Sequence, residues 1–192
     1  MEGKGFPKII NRIKELKARD DVGPIAVFSA PMGCTDALIR IGESYAQSAQ
    51  VPIDPVFDVY EQVAKLNVKI KFLKQAQAEI ARYRKQTQQA LASVNKRFSG
   101  NVKAKILTHG GELAMSALAD YILKSNGVDS CQVSVQNWPI VTDDNFDDAS
   151  PNYDLSKKRV DALIAPLEQS KVVSLAGFLG VTADGLETVL GR

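Results

Sequence analysis

The chain has 192 residues, of which 45% are hydrophobic and 24% charged, and its formal net charge is +2. These values are typical of a globular domain with its own core. The balanced charge gives no electrostatic reason to expect a nucleic-acid or membrane partner, and no apolar run approaches the roughly 20 residues that span a bilayer. With two cysteines and one histidine, we expect neither a disulfide framework nor a nitrogen–sulfur metal site. The expected location is the reducing cytoplasm.

The first quarter of the chain predicts a helix, a strand, a loop and a second helix. Apolar residues at helical spacing predict the first helix over 6–19. The short apolar run 24–30 favours a strand buried on both faces. After the loop 31–36, a second helix is predicted from Ala37 to Tyr45. This order is typical of an α/β fold with a parallel sheet.

The segment 54–98 has apolar residues at alternating spacings of three and four, and Asp54-Pro55 is a typical helix start. The pattern predicts one long amphipathic helix or an antiparallel helical hairpin packed on the domain. In a hairpin, the break is expected near Asn67 or around 75–77. A coiled-coil seam between chains is the alternative, although three polar residues interrupt the apolar series.

The second half of the chain continues the alternation of helix and strand. Helices are predicted over 111–124 and 154–167, strands over 131–135, 140–141 and 172–178, and a hairpin-type turn at Asp184-Gly185. The predicted architecture is therefore a three-layer α/β/α sandwich with a mainly parallel sheet, with a helical hairpin or long helix added to it.

Small-residue loops at three places could hold a ligand: 29–36, 108–112, and 177–180 with its continuation to Gly191-Arg192. Ligands of open α/β sheets bind beyond the carboxyl ends of the strands, where helix N-termini favour anions. Each loop also has a plain structural interpretation, such as a turn in which Thr35 caps a helix. Local pattern alone leaves both interpretations open.

Individual side chains in and near these loops suggest chemistry. Glu112 could pair with an ammonium group or simply favour a helix dipole, and Arg192 could clamp a carboxylate. His109 has no visible partner in the sequence, so we expect it to be structural. The acidic segment 142–148 lacks the glycine and glutamate of an EF-hand loop, and a solvated loop is expected there rather than a metal site.

Taken together and in this order, these segments resemble those of the aspartate kinases of the amino-acid kinase family. The match at the C-terminal end is the most specific, and the resemblance covers roughly 7–192, with 54–98 matched only in character. The matching segments are 27–38 for V-x-S-A-x-x-G-x-T-[DN]-x-L, Gly111-Glu112 for G-E, 140–149 for I-x-T-D-x-x-F-x-x-A, and 177–192 for G-F-x-G-x-T-x-D-G-x-x-T-T-L-G-R.

The resemblance implies ATP- and Mg²⁺-dependent transfer of phosphate to the β-carboxylate of L-aspartate, which begins lysine, threonine and methionine synthesis. It implies that Ser29 and Thr35 lie near the side-chain carboxylate and the incoming phosphate. Glu112 would face the α-ammonium, Phe178 would contact the substrate through its backbone, and Arg192 would hold the α-carboxylate.

The chain departs from the family pattern at both ends. No K-F-G-G-[TS] strand precedes Phe6, and no G-G-S-D follows Arg192; Gly110, Leu113 and Val189 also differ from the usual residues. We therefore expect 1–192 to be one partial kinase domain, the substrate-binding lobe with 54–98 packed on it, without the nucleotide lobe or regulatory domains. ATP and Mg²⁺ are not expected to bind this chain, and it is expected to have no kinase activity alone.

Three alternatives remain open at this point. The nearest is an amino-acid kinase with a different acceptor, and one from a different class is a non-catalytic module that binds an amino acid or serves as a scaffold. The third is a homo-oligomer formed through 54–98, which solution mass would test.

Overall fold

The computed structural model describes residues 5–20, 22–169 and 171–191. Its helices are α1 (Phe6–Arg19), α2 (Cys34–Ala46), α3 (Asp54–Asn67), α4 (Ile70–Ala92), α5 (Gly100–Gly110), α6 (Glu112–Ser125), α7 (Tyr153–Lys157) and α8 (Asp161–Glu168). Its strands are β1 (Ile25–Phe28), β2 (Ser130–Gln132), β3 (Val172–Ala176), β4 (Leu179–Val181) and β5 (Glu187–Val189). Within these residues, no helix is both long and apolar enough to cross a membrane.

A parallel sheet in the order β1-β3-β2 forms the centre of the domain. Every residue of β3 is buried. The chain passes from β1 beyond β3 to β2 and then returns to β3, and right-handed crossovers place the helices of these two connections on opposite faces. Helix α6 packs on all three strands, and α8 packs on β3. The three-layer α/β architecture predicted from the sequence is confirmed.

Strand β1 differs from its prediction, because it is buried on one face only. Ile25 is 45% exposed and Val27 is 62% exposed, while Phe28 is buried and stacks on the ring of Phe6 with centroids 6.3 Å apart. Among the described residues β1 pairs with β3 alone. It is therefore an edge strand of the described sheet, and the prediction of a strand buried on both faces is wrong. The apolar residues of β1 are covered by other elements on one face only.

The segment 54–98 forms two helices, with the break where α3 ends at Asn67. Val68 is extended, and the Asn67 side chain donates to the Val63 carbonyl at 2.9 Å. The two helices are joined again by an ion pair between Arg84 and Asp54. The hairpin of α3 and α4 packs on α6, which explains its amphipathic pattern without a coiled-coil partner.

The predicted helix 154–167 is in fact two short helices, α7 and α8. Asn152, rather than Asp154, caps the start, since its side-chain oxygen accepts the Leu155 N–H at 3.0 Å. The turn between the helices holds Arg159, whose guanidinium donates to the Ala183 carbonyl at 3.1 Å. This long-range contact accompanies a break that the local pattern did not show.

The C-terminal hairpin of β4 and β5 is antiparallel, as the Asp184-Gly185 signal predicted. Gly185 has a positive φ of 84°, which a turn of this kind requires. Trp138 is fully buried, and its indole N–H donates to the Leu179 carbonyl at 2.9 Å. The hairpin is thereby attached to the segment that follows β2.

Candidate functional site

Three of the predicted ligand loops meet beyond the carboxyl ends of β1 and β3. The Gly177 N–H donates to the Phe28 carbonyl at 2.8 Å, and a Cβ on Gly177 would lie 3.5 Å from Ser29 Oγ. A Cβ on Gly111 would lie 3.4 Å from Ala30 Cβ and only 2.5 Å from a backbone oxygen. That oxygen belongs to Leu107 in the last turn of α5, so glycine is favoured at 111 by the junction of α5 with α6, while the contact with Ala30 is an ordinary van der Waals contact.

Thr35 and Phe178 line one cavity of about 310 Å³. Lys103 from α5 and Leu190, which follows β5, form other parts of its wall. Asp147 and Asp148 also line it, and Asp147 is paired with Lys103. One hydroxyl, one ammonium group, two carboxylates and an aromatic residue thus surround a polar space near the start of α2, with no surplus of positive charge.

Ser29 lies beside this cavity rather than in it. It lines a separate, mostly apolar cavity of about 580 Å³ together with Phe6 and Met32. Glu112 lines neither cavity, and Arg192 lies outside the described residues. Of the four described residues that the resemblance implies for substrate binding, Thr35 and Phe178 share a cavity, and Ser29 and Glu112 do not join them.

Phe178 has an unusual backbone conformation, with φ of 62°. A bulky residue in the left-handed region costs on the order of 1–3 kcal/mol and is found most often at binding sites. Its carbonyl accepts the Leu190 N–H at 2.9 Å. The strained turn is thus anchored to the residue that follows β5.

Glu112 is the first residue of α6 and only 5% exposed. Its charge acts on two buried neighbours, Cys34 and Tyr60. Burial, and then the Glu112 carboxylate, raise the pKa of Cys34 to about 11. Burial also raises the pKa of Tyr60 well above its ordinary value. The Glu112 carboxylate is therefore a buried anion at the start of α6, close to Cys34 and Tyr60.

Tyr60 supports this pocket and was not identified from the sequence. Its hydroxyl contacts the carbonyl oxygens of Gly110 at 2.8 Å and Gly111 at 2.9 Å, the residues that join α5 to α6. The prediction of a loop over 108–112 is wrong in its first part, because residues 108–110 form the last turn of α5. In the sequence, Tyr60 is simply one residue on the apolar face of α3.

The two cysteines should react with alkylating reagents at different rates. Cys34 is 3% exposed with a pKa raised to about 11, whereas Cys131 is half-buried. Because the thiolate is the nucleophile, we expect iodoacetamide at pH 8 to modify Cys131 first. Peptide mass spectrometry measures this order. Equal rates in the folded protein would contradict it, and urea should abolish the difference.

His109 makes buried contacts of the kind expected of a structural histidine. Its Nε2 lies 2.9 Å from Glu187 Oε1, and both side chains are buried. The ring also meets Tyr83 edge-on, with centroids 5.9 Å apart. The His109–Glu187 contact joins α5 to β5 across 78 residues of sequence.

Acid should destabilise the fold through Glu187. Burial raises the pKa of this carboxyl, but the hydrogen bond from His109 and smaller backbone and Lys105 interactions outweigh burial and hold the pKa below its ordinary value. A lowered folded-state pKa adds stability above the unfolded pKa of about 4.3, and this stability is lost as pH falls through the folded value. Urea unfolding at pH 7 and in steps below pH 4.3 measures this loss.

The test variant for that experiment is Glu187→Gln, and its matched control is Glu15→Gln. The first should flatten the acid-dependent part of the stability curve. The second changes an exposed glutamate that forms a surface ion pair with Arg12, and it should leave the curve unchanged. Identical curves for the wild-type protein and Glu187→Gln would show that Glu187 does not carry the effect.

The acidic loop is tied to the protein by hydrogen bonds. Asp143 accepts the N–H groups of Asn145 and Ser150 at 3.2 and 3.1 Å. Asp147 accepts the Gly100 N–H at 3.0 Å and pairs with Lys103 at 2.9 Å. In the described part of the chain, no group of three or more His, Cys, Asp or Glu could hold a metal ion.

No protein-family model matches this chain. A curated aspartokinase from Chlamydia muridarum is 34% identical over 90 residues, which are 47% of this chain and 20% of that protein. The matched stretch therefore spans about a fifth of the length of that curated relative.

Solved aspartokinase structures match over 95% of the chain. Escherichia coli aspartokinase III in complex with aspartate and ADP (R-state) superposes with a TM-score of 0.77 at 21% identity, and the match covers 40% of that chain. The same enzyme in complex with lysine and aspartate (T-state) gives 0.72 at 21% identity, again with 40% covered. The Clostridium acetobutylicum aspartate kinase gives 0.59 at 16% identity, with 39% covered. This chain therefore shares the fold of these aspartokinase structures over nearly all of its length.

Proposed function

We propose that this chain is the aspartate-binding part of an enzyme that transfers phosphate from ATP to the β-carboxylate of L-aspartate. The observation that carries the proposal is the meeting of the turns at Ser29, Gly111 and Gly177 at one edge of the sheet. A relative with the same fold was solved in complex with aspartate and ADP, which supports the choice of substrate.

The residue types suit the charges of aspartate, which carries two carboxylates and one ammonium group. Glu112 would receive the ammonium, and its burial strengthens that pairing. The Thr35 hydroxyl would hold the side-chain carboxylate in its cavity, and the Ser29 hydroxyl, which lines a separate cavity, would approach it from the neighbouring turn. Arg192 would bind the α-carboxylate through two N–H bonds. Phe178 would complete the wall of the pocket. In this scheme the chain holds and orients the acceptor, which is a major part of catalysis of phosphoryl transfer.

ATP and Mg²⁺ are proposed for the parent enzyme and are assigned to no residue of this chain. Mg²⁺ is held by carboxylates and phosphate oxygens, and within the described ranges the acidic side chains form no such cluster. We place the reaction in the cytoplasm, where the two free cysteines of the described structure would stay reduced. Its product would enter lysine, threonine and methionine synthesis.

Titration calorimetry with L-aspartate tests the proposal. We expect saturable binding of L-aspartate and at least about tenfold weaker binding of L-asparagine, which lacks the β-carboxylate charge.

Thr35→Val should weaken aspartate binding, and Thr87→Val, at a buried site on α4 away from the cavity, is the control. Preference for another carboxylate would indicate a different amino-acid kinase. Binding of neither amino acid would contradict the proposal and favour a scaffold role.

A further inference from the structure

A second polar cavity lies on the other side of α5 from the Thr35 cavity. Its volume is about 630 Å³, and its walls come from α4, α5, the segment after β2, and the turn between β4 and β5. Lys103 and Leu107 line the Thr35 cavity, while Lys105 and His109 line this one. We call it the α4–α5 cavity. It shares no lining residue with the proposed aspartate cavity.

The α4–α5 cavity offers charges of both signs. Arg82 is already paired with Glu79 at 2.6 Å. Lys105 forms no ion pair with any carboxylate of the described residues, and neither does Asp184 on the opposite wall. Lys105 interacts electrostatically with the Glu187 carboxylate, and Asp184 is exposed at the turn. The cavity therefore offers a cation and an anion on facing walls, a pattern that matches a ligand with both charges.

The His109 imidazole strengthens the requirement for a donor group in the ligand. Its Nε2 contacts the Glu187 carboxylate at 2.9 Å, so Nε2 carries the hydrogen when Glu187 is ionised. Nδ1 is then an acceptor, and it is a buried atom with no hydrogen-bond partner among the described residues. Buried polar atoms without partners are rare in native proteins. An ammonium group bound at this wall would have the Glu187 and Asp184 carboxylates as its acceptors, with the His109 imidazole hydrogen-bonded to Glu187.

We propose that the α4–α5 cavity binds a small zwitterion, an α-amino acid whose carboxylate meets Lys105 and whose ammonium lies toward His109, Glu187 and Asp184. Arg159 at the rim adds a second donor for the carboxylate. The site is separate from the proposed aspartate site, and the two share the elements α5 and β5. The proposal does not depend on the function of the Thr35 cavity.

Three small probes of matched size test the charge requirement on the full chain. L-Alanine carries both charges, propionate lacks the ammonium, and ethylamine lacks the carboxylate. Amide chemical shifts of ¹⁵N-labelled protein locate each binding event. We expect saturable shifts around Tyr83, Lys105 and Gly185 with L-alanine, and at least about tenfold weaker binding of the two single-charge probes. Shifts confined to the region of Thr35 and Phe178 would overturn the proposal.

Variants at the two walls complete the test. Lys105→Met and Asp184→Asn should each weaken L-alanine binding about tenfold. Lys96→Met, at an exposed site outside the cavity, should not change it. The amide spectrum of each variant verifies that it is folded. Equal binding of propionate and L-alanine, or unchanged affinity in both wall variants, would refute a zwitterion site.

Discussion

Glu112→Gln is expected to weaken L-aspartate binding by about 10- to 100-fold, the effect of losing one charge-assisted contact. Glutamine has nearly the same shape, so the change removes the charge that would meet the α-ammonium and little else. Glu112 is only 5% exposed, and an amide cannot offset an ammonium charge in such surroundings. Titration calorimetry of the variant and the wild-type protein measures the loss.

A second measurement separates this effect from misfolding. The Glu112 charge helps to raise the pKa of Cys34, so Glu112→Gln should lower that pKa and speed alkylation of Cys34 at alkaline pH. Glu43→Gln, on the exposed face of α2, is the matched control and should change neither property. Faster alkylation with unchanged aspartate affinity would show that Glu112 lies where we describe it but does not bind the substrate.

Trp138→Ala is expected to lower the free energy of unfolding by about 3–5 kcal/mol, the usual result of removing a large buried aromatic side chain. Trp138 is fully buried, and its N–H satisfies the Leu179 carbonyl at 2.9 Å. The substitution would leave a cavity beneath β4 and an unsatisfied carbonyl. Because this is the only tryptophan, circular dichroism during urea unfolding should replace fluorescence as the measurement.

Trp138→Phe divides the predicted loss into its parts. Phenylalanine retains most of the apolar volume but cannot donate to Leu179, so we expect a smaller loss of about 1–3 kcal/mol. Since β4 follows directly after Phe178, the alanine variant should also weaken aspartate binding. A loss below about 1 kcal/mol for Trp138→Ala would mean that the hairpin is not held by this residue.

The predictions made from the sequence succeeded for structural features that residues close together in the chain determine. The helix over 6–19, the parallel sheet and the turn at Asp184-Gly185 were predicted in this way and are present. The predictions failed where packing against distant elements decides whether a face is buried or where a helix ends. The apolar run of β1 could not show that one of its faces is open, and the periodicity of 154–167 could not show a break in that helix.

Residues 108–110 show the same limit within the candidate site. Two glycines favour a loop, but α5 continues to Gly110, where Tyr60 contacts the carbonyls of Gly110 and Gly111 from 50 and 51 residues away. Nothing near Tyr60 in the sequence distinguishes it from the other apolar residues of α3.

The order of the motifs and the alternation of helix and strand were sufficient for the α/β class and the resemblance to aspartate kinases, because both depend on residue types at short, regular spacings. The division of Ser29, Thr35 and Glu112 among different surroundings depended on the tertiary structure. So did the pairing of His109 with Glu187, which lie 78 residues apart. Contacts of that range come from the packing of whole elements, and no local pattern records them.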